Sequence, residues 1–268
     1  MNTRGKNPRQ NCIAIIPARL SSTRLPKKLL LPLGGKPLIL WTVGQAKKAK
    51  NVSRVIVATD SEEILRVVQE SGYEAILTRA SHKSGSDRIA EVAENLPENS
   101  IVVNVQGDEP LIQPSTIEKA VDAILEEETI DVATTCEPIY DAKDVSSADV
   151  VKVVTDRNDF ALYFSRSPIP FPREAVKKHG TLETALHAEK NLLSLYRKHT
   201  GLYVYHREFL LKYTKQKQSG LEQSEMLEQL RALENGARIK VVEVAENSIG
   251  VDTQEDFERV KIILEMQR

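Results

Sequence analysis

The chain has 268 residues, which is long enough to bury a substantial core, and its length predicts one large α/β domain or a domain with a sizeable insert. Lysine and arginine (37) nearly balance aspartate and glutamate (38), and the net charge of -1 argues against a general nucleic-acid or membrane-surface binder. Cys12 and Cys136, the only cysteines, form no CxxC pair, which disfavours a disulfide scaffold and a zinc site and favours a reducing cytoplasm.

The first ten residues contain no apolar core, so they are expected to form a disordered leader rather than a signal peptide. No later apolar run approaches the roughly 20 residues that a membrane span requires. The sequence therefore predicts a cytoplasmic protein without a membrane or nucleic-acid partner.

The first half alternates short apolar runs with amphipathic segments. Strands are predicted at residues 12–16, 54–58, 73–77 and 101–105, and helices at 37–50, 61–72, 86–96 and 115–128. Ser115 and Glu118 match a capping box for the last of these helices. This alternation indicates a mostly parallel sheet with helices on both faces.

The pattern changes after about residue 131. Strands at 132–138, 150–155 and 160–165 follow one another without clear helices, which indicates an antiparallel element. The remaining predicted elements are a helix at 182–196, a strand at 201–205, a helix at 221–233, a strand at 239–244 and a helix at 253–266. We therefore expect a catalytic α/β domain at 11–149 and 220–268, with an inserted subdomain at 150–219.

A strongly basic segment follows the first strand, between Pro17 and Lys36. It carries no acidic residue, and it also contains serine, threonine and glycine residues. Its five basic residues are Arg19, Arg24, Lys27, Lys28 and Lys36. A solvated run of charge is the alternative, but here the charges alternate with proline, leucine and glycine instead of following a helical face. The composition predicts a polyphosphate-binding loop, although neither a Walker motif nor a GxGxxG motif occurs.

Polar residues also follow each of the next three predicted strands, at 59–60, 78–79 and 106–110. In open parallel sheets, ligands bind beyond the carboxyl ends of the strands, so these groups are expected to converge with the basic segment. A carboxylate that faces a phosphate loop suits Mg²⁺, which makes Asp108 a candidate metal ligand. The alternative is that Asp108 is a turn residue before Pro110.

Asp252 is the second candidate for the metal. Its alternative is stronger, because Asp252 with Glu255, or Thr253 with Asp256, makes a good helix N-cap signature. Spacing alone favours the cap.

Weaker signals lie in the second half, where Arg166 ends a strand, His199 precedes an aromatic strand, and Glu222 and Glu225 lie one turn apart. A lone histidine beside aromatic residues is more often a packed structural histidine than a ligand.

Taken together, these residues resemble the CMP-KDO synthetases, the 3-deoxy-manno-octulosonate cytidylyltransferases. The resemblance extends over nearly all of the chain from residue 13 onward, through IIPARLSSTRLPKKLL, GGKPLI, VIVATD, TRASHKSGSDRIAEV, VNVQGDEPLI, ALYFSRSPIP, HTGLYVY, EMLEQLR and GVDTQEDFERV. It implies a nucleotide-diphospho-sugar transferase-like α/β fold, with a mostly parallel sheet flanked by helices and a smaller antiparallel dimerisation subdomain. It also implies a homodimer that transfers CMP from CTP to the anomeric hydroxyl of an acidic eight-carbon sugar for lipopolysaccharide synthesis.

The resemblance assigns roles to individual positions. Arg19, Lys28, Asp108 and Asp252 would be catalytic. Two Mg²⁺ ions are implied, one held by the two aspartates and a second on the triphosphate. Nucleotide binding would fall to Ala18, Arg19, Ser22, Thr23, Arg24, Lys28, Arg79, Ser84 and Gln106, and sugar binding to Gln106, Arg166, His199, Tyr203 and Glu222. Lys27 departs from the pattern, because relatives often carry a small residue there.

Three alternatives stay open from sequence. The chain could be another nucleotidyltransferase of the same fold, specific for acylneuraminate or for a uridylyl or thymidylyl group. A nucleotide-sugar-dependent glycosyltransferase would be expected to carry a DxD motif, whereas this chain has Asp108-Glu109-Pro110. A non-catalytic module would bind CTP without turnover on any sugar.

Overall fold

The computed structural model describes residues 11–22, 24–245 and 249–266. In chain order, the strands are β1 (Cys12–Ala18), β2 (Pro32–Leu33), β3 (Lys36–Pro37), β4 (Arg54–Thr59), β5 (Glu74–Leu77), β6 (Ile101–Asn104), β7 (Val132–Pro138), β8 (Lys152–Thr155), β9 (Ala161–Ser165), β10 (Arg197–His206) and β11 (Ile239–Glu243). The helices are α1 (Leu38–Lys48), α2 (Glu62–Glu70), α3 (Gly85–Ala93), α4 (Pro114–Glu126), α5 (Ala142–Ser146), α6 (Arg173–His179), α7 (Leu182–Ala188), α8 (Arg207–Tyr213), α9 (Gly220–Glu225), α10 (Gln229–Glu234) and α11 (Gln254–Met266).

The chain divides into two compact units. Of the described residues, the first comprises those within 11–126, 202–215 and 249–266, and the second comprises 127–201 and 216–245. These boundaries differ from the predicted insert at 150–219. The second unit also contains β7, α5, α9, α10 and β11, whereas residues 202–215 group with the first unit. The dimerisation role of that insert stays a prediction.

The first unit contains the parallel part of the sheet. Strand β1 lies between β4 and β6 and is parallel to both, and β5 extends the sheet beyond β4. The end of β10 joins β6 in the antiparallel direction, with Tyr203 opposite Asn104. Side chains such as Ile15, Ile56 and Val103 are fully buried, as expected for strands that are covered on both faces. The predicted α/β fold, with its mostly parallel sheet flanked by helices, is confirmed.

Helix starts in the first unit follow from local side chains. Ser61 accepts a hydrogen bond from the backbone N–H of Ile64, and Ser84 forms a capping box with Asp87. The predicted capping box at Ser115 and Glu118 is wrong, because α4 begins one residue earlier, at Pro114. The Glu118 carboxylate instead accepts a hydrogen bond from the Lys50 backbone N–H at 2.8 Å.

The second unit contains the antiparallel pair that the sequence predicts. Strands β8 and β9 pair antiparallel, while β7 and β11 pair parallel. The helix predicted at 221–233 is broken into α9 and α10, because Met226 adopts a left-handed conformation with φ of 53°. Ile139, Val145, Leu186 and Tyr196 form a buried cluster in this unit.

No helix in the described part of the chain is both long and apolar enough to cross a membrane.

Candidate active site

The basic segment after β1 turns its charges in different directions. A short 3-10 helix begins at Lys28, and the side chain of Lys28 is directed inward with only 13% of its surface exposed. The side chains of Arg24 and Lys27 are 61% and 58% exposed. The segment is therefore not a uniform charged surface, since Lys28 alone of these three cations is mostly shielded from water.

A cleft of about 480 Å³ opens beside this segment, within the first unit. It gathers many of the residues predicted to bind nucleotide or metal, which are Arg19, Ser22, Arg24, Lys28, Gln106, Asp108 and Asp252. The predicted residue Thr23 lies outside the described residues. The basic segment and the residues after β6 thus meet at one site, as the edge rule for parallel sheets predicts, and the start of α11 joins them. Residues 59–60 and 78–79, which were expected to converge there too, do not line this cleft.

The ammonium of Lys28 joins the two candidate metal ligands. Its Nζ atom lies 2.5 Å from Oδ2 of Asp108, 2.8 Å from Oδ1 of Asp252 and 2.9 Å from the carbonyl oxygen of Val251. Burial alone would lower the pKa of Lys28, but the charges and hydrogen bonds of Asp108 and Asp252 raise it above its ordinary value. Lys28 is therefore a fixed positive charge at this position.

Asp252 is not the helix cap. The Thr253 hydroxyl accepts a hydrogen bond from the backbone N–H of Asp256, and the Asp256 carboxylate accepts one from the backbone N–H of Thr253. Burial would raise the pKa of Asp256, but its carboxylate accepts hydrogen bonds from the Thr253 hydroxyl and from the backbone N–H groups of Thr253 and Asp252, and these outweigh burial and lower the pKa. The Asp252 carboxylate is left to contact Arg24 at 2.9 Å and Lys28 at 2.8 Å. Of the two cap signatures in the sequence, the structure uses the one that leaves Asp252 in the cleft.

Gly107 is a site residue that the sequence reasoning did not single out. A Cβ atom there would lie 3.0 Å from the Pro17 carbonyl oxygen and 3.2 Å from Cδ1 of Ile39. Glycine therefore lets the segment after β6 pass close to the end of β1. This close approach brings Asp108 alongside Lys28, and the glycine before the aspartate was the available signal.

Two other predicted nucleotide ligands lie on the segment that follows β5. Ser84 caps α3, and the Arg79 side chain contacts Glu91 at 3.3 Å while remaining 66% exposed. Glu91 also bonds His82, whose carbonyl oxygen accepts a hydrogen bond from Arg19 at 3.2 Å. Burial would raise the pKa of Glu91, but the bonds from His82 and Arg79 lower it. The segment is thus tied to Arg19 at one point and to α3 at another.

Ala18, the first of the predicted nucleotide ligands, ends β1 and is completely buried. Its methyl group belongs to the core, so any contact with a ligand would come from its backbone.

A buried ion pair, also missed from sequence, lies at the same edge of the sheet. Arg88 on α3 is fully buried and donates hydrogen bonds to Asp60 at 2.6 Å and to the Thr78 hydroxyl at 2.5 Å. Asp60 and Thr78 are the polar residues that follow β4 and β5. Arg88 therefore holds together two of the strand ends that face the cleft side of the sheet.

The predicted sugar ligands of the second unit have partners inside that unit. The Arg166 guanidinium donates to the carbonyl oxygens of Glu225 at 2.7 Å and Ala148 at 2.8 Å. Glu222 is buried and lies 3.2 Å from Nε of Arg231. These contacts give Arg166 and Glu222 structural roles within the second unit, and their binding of a sugar stays a prediction.

His199 and Tyr203 lie along β10. Nε2 of His199 lies 2.9 Å from the Thr134 hydroxyl, and its ring packs edge-on against Phe164. Tyr203, which groups with the first unit, stacks on Tyr205 with 5.8 Å between ring centroids. The contacts of His199 are those of a packed histidine, and the predicted sugar role of both residues is untested by them.

His199 should make folding sensitive to acid. Burial lowers its pKa to about 3 from an ordinary value of 6.5, so the unfolded chain binds a proton that the folded chain does not. Below about pH 6.5, protonation of His199 in the unfolded chain should lower the free energy of unfolding by up to about 1.4 kcal/mol per pH unit. Between pH 7 and pH 5, urea titrations should show that the free energy of unfolding falls less in His199→Gln than in the wild type. His187→Gln, at an exposed histidine, should retain the wild-type dependence of unfolding free energy on pH. The same dependence in His199→Gln would contradict the assignment of acid sensitivity to His199.

Lys27, the departure noted in the sequence, adopts a left-handed conformation with φ of 53°, and its ammonium lies 2.8 Å from Glu63. A residue with a Cβ is strained in this conformation, whereas glycine is not. The free energy of unfolding of Lys27→Gly should therefore be about 1 kcal/mol higher than that of Lys27→Ala. Both variants lose the exposed ion pair, but only glycine relieves the strain. Paired urea titrations measure this difference, and equal stability of the two variants would show that the backbone there is unstrained.

The donor set at the cleft fits magnesium better than a transition metal. Among the residues that the structure describes, no three histidine, cysteine, aspartate or glutamate side chains converge on one point. Two carboxylates, from Asp108 and Asp252, do converge on a single cation, the Lys28 ammonium. Mg²⁺ commonly binds one or two carboxylates and completes its shell with water and phosphate oxygens.

Comparison with known proteins shows which family the chain resembles. Residues 13–239 match the family model described as Cytidylyltransferase. A 3-deoxy-manno-octulosonate cytidylyltransferase from Trichlorobacter lovleyi is 50% identical over 249 residues, covering 93% of this chain and 96% of the relative. The enzyme of the same description from Geobacter sulfurreducens is 47% identical over 250 residues, covering 93% of this chain and 98% of the relative.

Solved structures agree as well. A structure described as CMP:2-keto-3-deoxy-manno-octonic acid synthetase complexed with CTP matches with a TM-score of 0.86 and 38% identity, over 96% of this chain and 99% of that one. A 4-diphosphocytidyl-2C-methyl-D-erythritol synthase from Anaerococcus prevotii shares the fold alone, with a TM-score of 0.60 and 15% identity over 96% of this chain and 99% of that one. Because the family model covers most of the chain and close relatives extend over nearly all of it, the chain belongs to the 3-deoxy-manno-octulosonate cytidylyltransferase family.

Proposed function

We propose that the chain transfers CMP from CTP to the anomeric hydroxyl of 3-deoxy-manno-octulosonate, releasing pyrophosphate. The observation that carries this proposal is the cleft, in which a basic segment faces two carboxylates held by one lysine. A metal-bound triphosphate has the charge and the oxygen donors that such a cleft suits. Relatives and the 38%-identical structure supply the identity of the base and the sugar.

The basic residues bind and neutralise the triphosphate. The sugar hydroxyl attacks the α-phosphorus in line, and negative charge builds on the departing pyrophosphate. Arg19, Arg24 and Lys28 line the cleft where they can neutralise that charge, and Ser22 adds a hydroxyl donor. Gln106, at the same cleft, would position the cytidine or the sugar. No side chain in the described part of the cleft is an evident general base.

Asp108 and Asp252 would hold Mg²⁺, because their carboxylates already share one cation. Bound there, Mg²⁺ supplies Lewis-acid activation of the sugar hydroxyl and neutralises phosphate charge. The protein's contribution is to keep the two carboxylates together in a partly shielded cleft.

The sugar-binding roles of Arg166, His199, Tyr203 and Glu222 are carried over from the family resemblance. A homodimer is likewise a proposal that rests on that resemblance, whereas a cytoplasmic location is a proposal that rests on the unpaired cysteines of the sequence. The antiparallel strands β8 and β9 of the second unit are the segment we expect to contribute to the dimer.

Pyrophosphate release tests the proposal. The purified protein is incubated with Mg²⁺ and each of the four ribonucleoside triphosphates, together with the octulosonate, its 8-amino analogue or an acylneuraminate. We expect release with CTP and one of the two octulosonates, and mass spectrometry should detect the CMP-sugar. Turnover with another nucleotide or with acylneuraminate would point to a different nucleotidyltransferase, and CTP binding without any turnover would point to a binding module.

A further inference from the structure

The Lys28 ammonium fully uses its hydrogen-bonding capacity on the candidate metal ligands. Its three acceptors are the Asp108 carboxylate, the Asp252 carboxylate and the Val251 carbonyl oxygen, all between 2.5 and 2.9 Å. An ammonium has three N–H donors. Lys28 therefore occupies the place between the two carboxylates in which a metal ion would be bound.

The charges at this point also balance without a metal. Arg24 contacts Oδ2 of Asp252 at 2.9 Å while Lys28 contacts its Oδ1. Two cations thus offset the two carboxylates. A divalent ion that entered beside Lys28 would lose carboxylate ligands to the ammonium and would face its repulsion at short range.

The carboxylates do not depend on Lys28 alone for their positions. The backbone N–H of Val251 donates to the carbonyl oxygen of Asp108 at 2.8 Å, which ties the two chain segments together. The cap formed by Thr253 and Asp256 then fixes the start of α11 directly after Asp252. Displacement of the lysine should therefore leave two carboxylates close together.

We propose that Lys28 keeps this carboxylate pair closed to divalent cations until a triphosphate draws its ammonium away. Lysine has a flexible four-carbon stem and a compact charge that moves readily between anionic partners. The cleft beside Lys28 is where the proposed function places the triphosphate, so the identity of that displacing anion rests on the proposed function. Nucleotide and metal would then bind with positive coupling, and each would raise the affinity of the protein for the other.

The neighbouring lysine provides a matched control. Lys27 carries the same charge one residue away, but its ammonium contacts Glu63 instead of the carboxylate pair. A general electrostatic effect would act from both positions, whereas occupation of the pair is specific to Lys28.

Binding of Mn²⁺ to the nucleotide-free protein tests the proposal. Electron paramagnetic resonance measures free Mn²⁺ in titrations of the wild type, Lys28→Met, Lys27→Met and the double variant Lys28→Met with Asp108→Asn. We expect Lys28→Met to bind Mn²⁺ at least about tenfold more tightly, because the ammonium between the carboxylates is gone and only Arg24 still offsets their charge. Lys27→Met should match the wild type, and the double variant should lose the gain.

Equal Mn²⁺ affinity in Lys28→Met and the wild type would overturn the proposal, as would an equal gain in Lys27→Met. Circular dichroism verifies folding, and Lys28→Gln replaces the methionine variant if that variant is unfolded. The titration uses neither CTP nor sugar, so its result is independent of turnover. Failure of pyrophosphate release would refute the proposed function, whereas an unchanged Mn²⁺ affinity in an active enzyme would refute only the role of Lys28.

Discussion

Asp108→Asn should lower kcat for pyrophosphate release about 10³-fold while the protein stays folded. The carboxylate is one of two that converge on a single cation, and the amide keeps its shape while removing its charge. The fold should survive because the Asp108 side chain is partly exposed and the Asp108 backbone bond to Val251 does not involve the side chain. Steady-state kinetics with saturating CTP and sugar measures the effect.

Glu63→Gln is the matched control for this experiment. Glu63 is also a carboxylate that contacts the basic segment, but through the exposed Lys27. It should retain nearly wild-type kcat. Near-normal turnover by a folded Asp108→Asn would exclude Asp108 as a metal ligand, and a similar loss in Glu63→Gln would mean that any removal of negative charge near the segment is harmful.

Arg88→Met should lower the free energy of unfolding by about 3 kcal/mol. The guanidinium is fully buried, and its loss leaves the Asp60 carboxylate, which is only 18% exposed, without its partner. Urea unfolding monitored by circular dichroism measures the change. Arg54→Met, which removes an exposed ion pair with Glu74, should cost less than about 1 kcal/mol.

A double-mutant cycle separates the ion pair from the loss of packing. Combined with Asp60→Asn, Arg88→Met should cost less than the sum of the two single substitutions, since no uncompensated carboxylate remains. Simple additivity would show that the pair itself contributes little, and a loss no larger than that of Arg54→Met would show that burial of Arg88 is unimportant.

Much of the fold follows from local sequence patterns. The runs that form β1, β4 and β6 are mostly apolar, so their strands were predicted within two residues of the observed ends. The break between α9 and α10 could not be predicted, because it depends on a left-handed methionine at position 226 rather than on glycine or proline. The family was also predicted from sequence, and the comparisons confirm it.

The site was only partly accessible from sequence. The convergence of the basic segment with Asp108 follows from the general rule that parallel strands end at one edge. Spacing favoured a cap role for Asp252 and was wrong, since two overlapping signatures were present and only the fold selects Thr253. Arg88 was missed because an arginine on an amphipathic helix is ordinarily a surface residue, and its burial depends on Asp60 from a distant strand end.

The contact between Lys28 and Asp252 joins residues that are 224 positions apart. Such a contact forms only after a long loop has closed, so it belongs to the late steps of folding. A chain in which α11 has not yet docked would present Asp108 without its partner carboxylate. Completion of the fold is thereby coupled to assembly of the candidate active site, and a partly folded molecule should neither capture a divalent ion at this cleft nor consume CTP.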